Sequence, residues 1–516
     1  MSTSPCLYAS PLVRRLVRGV VIGAAGPLLS GCMTTSPARP FADVKRSVQE
    51  RSGYEVEWNR FAPGGPEISA AVTELLSREL TAETAVQIAL LNNRRLQAEY
   101  ARLGVAQAEL VQAGLLKNPV FHGAIRWAPG SQRIFDFSIV QDFLDVLLLP
   151  LEVSLAESEL EAVKLEVAGR VIDLAADTKR GFYAYVANEE LVDLWQSTLL
   201  ASESSYEMAG RLRAAGNVTD LEVLNEQAAY ERAKLELSRA EARRVTHRER
   251  LNRFMGLWSS GTTWTASHEL PPIPEQPVII ESIEQRALAA SLNLANAYKQ
   301  LEIAAKRYHV AGIMQAIPTF DLGGSMEFEK EETFRLRERR RREGSKYELE
   351  EIPGPTEIWS GAEVSIALPI FDWGLAAAAA GRAEIERLYE RYTALAIEIR
   401  SAAREAAFLA ANAKARADFH AAVFVPLRQT ITAETQLRYN AMFDGVFQLL
   451  RAKEREIDAR RERVQASREY WMAHADLEQL LMGQLPPDFR EGGNGDMEQK
   501  NHAERARQDR LGENHD

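Results

Sequence analysis

Two stretches of this chain carry an apolar residue at every third or fourth position over a length that few folds can accommodate. In the later stretch these residues are Ile385, Leu388, Tyr392, Leu395, Ile399, Ala402, Ala406, Leu409 and Ala413. The pattern contains no internal cap, so it predicts a coiled-coil-like helix far longer than a globular one. A helix from Leu375 to Tyr439 is roughly 100 Å long. Because a compact domain cannot use that length, the pattern favours an elongated and mainly helical architecture.

The same sequence pattern occurs twice along the chain. The segment from Ala89 to Phe121 aligns with the segment from Ala287 to Phe320. The tetrapeptide Arg-Phe-Met-Gly at 253–256 likewise matches Leu-Leu-Met-Gly at 480–483. Internal repeats of this kind indicate duplicated structural units, so we expect two homologous halves of about 200 residues each.

Each half reads in the same order: helix, two strands, very long helix, tight turn, helix. Apolar and polar residues alternate in the strands, and one face of a strand in the second half carries Phe320, Leu322, Gly324, Met326 and Phe328. Such alternation is typical of a membrane barrel wall and equally of a half-buried soluble sheet. The long helices favour the membrane wall. Four strands are too few to enclose a pore, so a barrel built from them requires several copies of the chain.

The repeats and their flanks divide the chain into segments. The first repeat spans residues 80–277, with strands at about 119–142 and helices to 257. The second repeat spans residues 278–483, with strands at about 318–369 and helices to 483. Together they predict a mainly α fold with a small β part.

The regions outside the repeats have a different composition. Residues 32–79 are rich in turn formers and are predicted to be an extension that follows the outside of the fold. Residues 484–516 are polar and glycine-containing, and we expect them to be disordered. Within the second repeat, Pro426 is expected to kink the long helix.

The N-terminus carries the features of a lipoprotein signal. Three arginines precede the apolar run from Val20 to Leu29, which is too short to span a bilayer and has the proportions of a secretory signal. The sequence at 29–32, Leu-Ser-Gly-Cys, resembles a bacterial lipobox. We therefore expect residues 1–31 to be removed and Cys32 to become the lipidated, palmitate-bearing N-terminus. The alternative is a chance cysteine in an ordinary signal peptide.

Charge and residue spacing weigh against several classes of function. A formal charge of -11 disfavours a general nucleic-acid binder, which needs a basic face. The eight histidines are scattered and show no metal-ligand spacing. No catalytic triad or nucleotide fingerprint is recognisable. The sequence thus predicts no enzymatic activity, no cofactor and no metal site.

Five short motifs together resemble one known family. They are ALLNN at 89–93, the Ala-Gly helix exits at 113–114 and 311–312, AGNVTDLEVL at 215–224 and ALPIFDWG at 367–374. These residues, and the duplicated order of elements, resemble the TolC-like outer-membrane efflux channels, also called outer membrane factors, here of the lipoprotein type. The resemblance covers about residues 80–483.

The resemblance implies a homotrimer in the outer membrane of a Gram-negative bacterium. Its twelve shared strands would form one β-barrel, and its helices would form a periplasmic tunnel. Family members are passive exit ducts for small molecules or ions, and they work with a periplasmic adaptor protein and an inner-membrane efflux pump. Two alternatives remain at this point: a structural or adaptor-type periplasmic coiled-coil lipoprotein, and a duct for protein export. The cargo is selected by other chains and cannot be read from this one.

The passage from strand to helix in the second half is predicted at three residues. Pro369 cannot donate to a strand ladder, and Asp372 can cap a helix that starts near Trp373 or Gly374. The first half makes the equivalent passage near Leu144 without a matching proline.

Five residues near the two helical turns are candidates for a periplasmic gate. Family members often carry aspartates just inside the second turn, but both are missing here, where residues 447–452 read Phe-Gln-Leu-Leu-Arg-Ala. We predict that Gln448 and Arg451 line the constriction, with Asp220 and Glu222 as possible partners of Arg451. A plain surface ion pair is the alternative. Asp444 lies in the second turn itself.

A charged run separates the two strands of the second half. Residues 335–351 read RLRERRRREGSKYELEE and are predicted to form an external loop. A solvated loop and a surface attracted to anionic lipopolysaccharide are both compatible with this composition.

Overall fold

The computed structural model describes residues 35–59, 66–127, 133–316, 320–341, 344–368, 370–371 and 373–489. The chain divides into two compact units. One comprises residues 104–160 and 309–375 together with the described residues before Pro40, and it contains the sheet. The other comprises residues 40–103, 161–308 and 376–489 and is helical. The fold is mainly helical with a small antiparallel sheet, as the sequence predicts. None of the helices in the described ranges is both long and apolar enough to cross a bilayer.

Two helices precede the first repeat. They are α1 (Ala38–Ser52) and α2 (Pro66–Leu76). The sequence analysis expected a turn-rich extension here and missed both helices. Helix α1 is held by an apolar face, on which Val44 and Val48 are buried. The prolines and glycines that suggested turns lie largely outside these two helices.

The two halves have the same order of elements. The first contains α3 (Ala82–Asn92), α4 (Arg94–Ala113), β1 (Val120–Trp127), β2 (Arg133–Asp142), α5 (Leu144–Ala214) and α6 (Asp220–Met255). The second contains α7 (Ile283–Ala290), α8 (Leu292–Ala316), β3 (Phe320–Arg341), β4 (Gly344–Ile366), α9 (Leu375–Phe419), α10 (Val425–Asn440) and α11 (Val446–Leu481). The 71 residues of α5 make it about 105 Å long.

The first helical segment of each half is interrupted once. The first half breaks at Asn93 and the second at Ser291. Both residues have extended backbone conformations, with ψ of 117° and 113°. An Asn or Ser side chain can accept hydrogen bonds from the first N–H groups of the following helix. A new helix can therefore begin there at a small cost in free energy.

The second long helix is continuous in sequence but irregular at one point. A π-helical turn occupies His420–Phe424 between α9 and α10, and Pro426 lies in the first turn of α10. Proline removes the N–H that an α-helix would use there, which is a common cause of such irregularity. At the place where the sequence predicts a kink, the helix therefore contains a π-helical turn just before Pro426.

The four strands form one antiparallel sheet in the order β1-β2-β3-β4. β3 and β4 pair along their length, from Phe320 opposite Ile366 to Arg341 opposite Gly344. The prediction of an external loop at 335–351 is thus wrong, because this segment lies mostly in paired strands. In this register Arg335 lies opposite Glu350.

The helical unit has three main apolar cores. In one, α3, α5, α6 and α11 meet around residues such as Phe182, Leu251 and Tyr470. A second joins α1, α3, α4 and α5 around Tyr100 and Val167. A third joins α7, α9 and α11, and α9 contributes mainly alanines to it. Small side chains let two helices approach closely, so the alanine-rich sequence of α9 is accounted for by its packing.

Candidate functional site

The sheet separates apolar from polar side chains. Register places Phe121 opposite Ile139, and Ile139 opposite Gly324. The apolar face so defined carries Phe121, Ile125, Phe135, Phe137, Ile139, Phe320, Leu322, Met326, Phe328, Ile358, Val364 and Ile366. Many of these side chains are exposed in the single chain, among them Phe121 at 63% and Val364 at 60%. A continuous exposed apolar surface of this kind marks an interaction with lipid or protein.

The opposite face of the sheet is acidic. Its acidic residues are Asp136, Asp142, Asp321, Glu327, Glu329, Glu357 and Glu363, as the strand register shows. Arg126 lies among them, with its Nε 2.7 Å from Asp136 Oδ2 and a guanidinium nitrogen 3.7 Å from Glu327. The sheet therefore has one apolar face and one acidic face.

The passage from β2 into α5 is stabilised by acidic side chains. The N–H of Leu144 donates to Asp142 Oδ1 at 3.0 Å, which caps the start of the helix. The next acid, Asp145, is buried and accepts from Lys117 Nζ at 2.8 Å. The first-half junction thus uses a helix cap and an ion pair where the second half has a proline.

The second-half junction is described only in part. Pro369 and Asp372 lie outside the described residues. Gly374 has a φ of 73°, in the left-handed region that favours glycine, and α9 begins at the next residue. Phe371 is 99% exposed and Trp373 is 75% exposed. Exposed aromatic side chains next to an apolar strand face are typical of a membrane interface.

The turn between α5 and α6 is closed by backbone and side-chain contacts. Gly216 has a φ of 76°, and the N–H of Asn217 donates to the carbonyl of Leu212 at 2.9 Å, which is a common glycine-ended helix terminus. Thr219 caps α6, and its N–H donates to Glu222 Oε2 at 2.7 Å. Two of the candidate gate residues are therefore part of, or next to, a helix start.

The turn between α10 and α11 repeats this arrangement with a non-glycine residue in the left-handed position. Met442 takes the left-handed position with a φ of 59°, and the N–H of Phe443 donates to the carbonyl of Arg438 at 2.9 Å. A left-handed conformation costs a non-glycine residue roughly 1–2 kcal/mol. Gln448 accepts from the N–H of Gly445 at 3.0 Å at the start of α11. The large apolar side chains of this turn, Met442 and Phe443, are exposed.

Each turn is bridged by an arginine that the sequence analysis did not single out. Arg213 binds Asp220 through Nε at 2.5 Å and a terminal nitrogen at 3.0 Å. Arg438 binds Asp444 in the same two-pronged way, at 2.7 and 3.3 Å. The Arg213 guanidinium lowers the pKa of Asp220 below its usual value. The sequence does contain a signal for these two ion pairs: in both turns an arginine precedes an aspartate by six or seven residues.

Arg451 lies in the first turns of α11, and its Nε donates to the carbonyl of Phe447 at 3.2 Å. Asp220 is engaged by Arg213 instead. The pKa of Glu222 is lowered by its hydrogen bonds from Thr219 and, to a smaller extent, by the charge of Arg451. Within the described part of a single chain, Arg451 forms no ion pair with Asp220 or Glu222, and its remaining link to Glu222 is this electrostatic one.

Two of the sequence motifs meet in space. Asn93 Oδ1 accepts from the N–H groups of Arg95 and Leu96 at 2.9 and 3.0 Å, and its Nδ2 donates to the carbonyl of Phe254 at 2.8 Å. Asn92 donates to the carbonyl of Gly256 at 2.8 Å. The ALLNN motif therefore joins the helix break to the C-terminus of α6.

The second half contains an equivalent joint built from different side chains. The N–H of Leu292 donates to the carbonyl of Gly483 at 2.8 Å, and Ser291 Oγ accepts from Leu294 at 3.1 Å. A Cβ on Gly483 would lie 2.2 Å from the Ala290 carbonyl oxygen, so glycine is required there. These motifs have a structural role in joining helices.

The described residues contain no group of three or more His, Cys, Asp or Glu side chains arranged to hold a metal ion. The arrangement that does exist is an amphipathic strand wall joined to very long helices whose far ends are tight, ion-paired turns. These features define a class of mainly helical proteins with very long helices and one small amphipathic sheet.

Comparison with known proteins identifies the family within this class. Residues 138–257 match the sequence profile of the outer membrane efflux protein family. The predicted resemblance to the TolC-like outer-membrane efflux channels is confirmed, and the members of this family are channels and not enzymes. No curated protein sequence matches the chain.

Solved structures share the fold at low sequence identity. A membrane protein from Pseudomonas aeruginosa superposes with a TM-score of 0.62 at 16% identity, covering 83% of this chain and 98% of that one. The CmeC outer membrane channel of Campylobacter jejuni gives a TM-score of 0.58 at 14% identity, with 86% and 93% coverage. The outer membrane protein VceC of Vibrio cholerae gives 0.59 at 14% identity, with 78% and 96% coverage. The chain therefore spans nearly the whole length of these channels.

Proposed function

We propose that this protein is the passive outer-membrane exit duct of a tripartite efflux system. Three copies would contribute four strands each to one twelve-stranded barrel, and their long helices would continue as a periplasmic tunnel. The observation that carries this proposal is the sheet, because an exposed apolar face backed by an acidic face suits lipid on one side and water on the other.

The segment limits predicted from the sequence belong to the same proposal. Residues 80–277 and 278–483 would be the two repeats, and 32–79 the extension that leads from the membrane anchor. Residues 1–31 would be removed, after which a lipid on Cys32 would hold the protein in the outer membrane of a Gram-negative bacterium.

The two helical turns are the proposed contact with a periplasmic adaptor protein, which would connect the duct to an inner-membrane pump. The support is their preorganisation, since each turn is closed by a two-pronged arginine–aspartate pair. Small molecules or ions are the proposed cargo, and the pump and adaptor would select among them.

A gate at these turns is a further part of the proposal. Asp220, Glu222, Gln448 and Arg451 lie at the starts of the helices that follow the turns, and Asp444 lies in the second turn. Arg451 and Glu222 are close enough to interact electrostatically, and symmetry-related copies would bring further carboxylates near Arg451. We expect Arg451→Ala to increase the leak conductance of the closed duct, whereas Arg455→Ala on the same helix serves as a control. An unchanged leak would remove Arg451 from the gate.

Reconstitution in a planar lipid bilayer tests the function as a whole. The full-length purified protein should produce discrete conductance steps, and its detergent complex should have the mass of a trimer. If only monomers form and no steps appear, the duct proposal is wrong.

A further inference from the structure

The joint at Asn93 borders a cavity of about 680 Å³ within the helical unit. The cavity lies between the start of α4, one face of α5 and the end of α6. Its lining includes Arg94 and Arg95 from α4 and Arg250 and Arg253 from α6, which we call the cavity arginines. All four residues are exposed, so a molecule in solution can reach them. The folded joint thus brings together cations that are far apart in the sequence.

Three carboxylates line the same cavity, but each is already paired with an arginine that is not one of these four. The pairs are Glu99 with Arg102 at 2.9 Å, Asp173 with Arg170 at 3.7 Å and Asp177 with Arg180 at 2.6 Å. Arg250 contacts the ring of Phe254, 5.6 Å from the ring centroid. Among the residues that the structure describes, no carboxylate forms an ion pair with a cavity arginine. The cavity therefore carries guanidinium charges that the chain itself does not neutralise.

The internal duplication shows that the joint does not require these arginines. In the repeat alignment the cavity arginines, in chain order, correspond to Leu292, Asn293, Leu477 and Leu480. The three leucines are buried, and Asn293 accepts from the N–H of Leu485 at 2.9 Å. The second half thus builds the equivalent joint with uncharged side chains. The four cations of the first half need an explanation other than the folding of the joint.

A second cavity, of about 500 Å³, borders the joint of the second half and has a balanced charge. It is lined by Asn293 and by two arginines and two carboxylates. Arg102 pairs with Glu166 at 2.7 Å, and Arg170 lies 3.7 Å from Asp173. Each arginine of this cavity therefore has a carboxylate partner. Uncompensated positive charge distinguishes the first cavity from its counterpart in the duplicated half.

We propose that the first cavity binds a small anion that carries two or more phosphate or carboxylate groups. A guanidinium group presents a planar fork of N–H donors, which binds either kind of group through paired hydrogen bonds. Because the arginines come in one pair on α4 and one pair on α6, an anion with two groups can engage both helices at once. The cavity volume lies within the range of about 300–1,000 Å³ that small-molecule sites have.

A bound anion would connect the start of α4 to the end of α6. These are the two elements that Asn93 joins through the carbonyl of Phe254. The anion would therefore stabilise the joint of the first half and leave the joint of the second half unaffected. This inference goes beyond the proposed exit duct, because it assigns a ligand site in the wall of the helical unit.

Isothermal titration calorimetry of the full-length protein in detergent tests the proposal. The probes are pyrophosphate, which has two phosphate groups, and citrate, which has three carboxylates. Measurements are made at low ionic strength, where exposed charges are least screened. We expect at least one probe to bind at one site per chain, at least tenfold more tightly than inorganic phosphate or acetate. The tighter probe identifies the class of ligand. If neither probe binds, or if the single-group anions bind equally well, the proposal is wrong.

Neutral variants locate the binding site. Arg94→Gln with Arg253→Gln removes one arginine from each helix and should weaken binding of the tighter probe at least tenfold. Arg232→Gln with Arg243→Gln is the matched control, since both residues are exposed on α6, lie outside the cavity and carry the same total charge. An equal loss in the control would mean general attraction of anions and would overturn the site.

A milder variant guards against loss of folding. Arg95→Asn introduces the residue type that the second half has at the equivalent position, so the unliganded protein should keep its thermal unfolding midpoint. Its affinity for the tighter probe should fall at least threefold. Unchanged affinity in both this variant and the double variant would exclude the cavity as the binding site.

Hydrogen exchange gives a readout that does not depend on affinity. The bound probe should slow amide exchange at residues 94–99 and 250–256 and leave residues 480–485 unchanged. Slower exchange at 480–485 alone would contradict the assignment to the first cavity. Neither measurement uses conductance, so a failure to bind overturns this site and leaves the duct intact. A protein that binds the probe but forms no channel overturns the duct and leaves the site.

Discussion

At the scale of single residues, the two helical turns both need one residue in the left-handed conformation, and they use different residues for it. The first places glycine in the left-handed position and the second places Met442 there. Both then use an arginine to hold the aspartate that follows. Because exposed ion pairs contribute little to stability, their main effect is to orient the turn.

The cost of the left-handed position can be measured at Gly216. Its Cβ would meet no atom within 4 Å, so Gly216→Ala changes only the backbone energy. We expect the turn to lose about 1–2 kcal/mol, seen as faster amide hydrogen exchange at residues 214–220. Gly210→Ala is the control, because Gly210 is equally unobstructed but helical, and alanine there should stabilise the helix by about 0.5–1 kcal/mol. Equal effects at both sites would contradict the strain argument.

At the scale of secondary-structure elements, the helix breaks and the strand faces determine how the fold is assembled. Each break at Asn93 or Ser291 receives the end of the last helix of its own half. The joint therefore closes each repeat on itself, across more than 150 residues of sequence. The halves differ in that Asn93, at the break itself, makes the contact between helices in the first half. In the second half this contact is made by the backbone of Leu292 with Gly483 and by Asn293 Oδ1, which accepts from the N–H of Leu485 at 2.9 Å.

This difference predicts unequal sensitivity to substitution. Asn93→Ala removes a helix cap and a buried hydrogen bond to Phe254, which should destabilise the joint by about 2–3 kcal/mol. Ser291→Ala removes a single cap contact and should cost about 1 kcal/mol. Hydrogen exchange in α3 and α7 measures the two effects separately. A larger loss from Ser291→Ala would show that the side-chain account is incorrect.

The two faces of β2 should respond oppositely to a positive charge. Phe137 lies on the apolar face between Phe121 and Phe328, at ring distances of 6.0 Å from each. If this face contacts lipid, Phe137→Arg should destabilise the inserted sheet by about 2–4 kcal/mol. Ser138→Arg on the polar face should be tolerated. The measurement is the fraction of protein that folds into lipid vesicles and resists protease, and equal folding of both variants would argue against a lipid-facing surface.

At the scale of the whole molecule, the acidic face of the sheet determines the electrical character of the proposed pore. It carries seven carboxylates and Arg126 in each copy, and Arg126 is already engaged by Asp136. Rings of carboxylates attract cations and repel anions inside a narrow aqueous path.

We therefore expect the reconstituted channel to be cation-selective. Neutralising Asp136, Glu327 and Glu363 together to the corresponding amides should move the reversal potential in a KCl gradient towards zero. Neutralising Glu50, Glu55 and Glu74, in the segment before the repeats, is the matched control and should leave the potential unchanged. Anion selectivity of the unmodified channel would show that this face does not line the pore.

The sequence by itself determined the features that depend on neighbouring residues. The period of the apolar residues predicted the strands of the sheet and the long helices α5 and α9, because a helical or extended backbone repeats its side-chain direction over three to four or over two residues. Internal similarity predicted two halves with the same order of elements. Both signals are local or repetitive and need no knowledge of distant contacts.

Only the tertiary structure decided the features that depend on residues far apart in the chain. The break at Asn93 is stabilised by the carbonyl of Phe254, which lies 161 residues later in the chain. The sequence around Asn93 contains no signal that identifies this partner. Asp220 was predicted only as a possible partner of Arg451, and in the folded single chain it binds Arg213, since the turn brings these two together at 2.5 Å. The strands at 335–351 form because each supplies the other's hydrogen bonds, although their composition alone is that of a loop. Backbone pairing and close approach are properties of the folded chain, which is why composition and periodicity could not predict them.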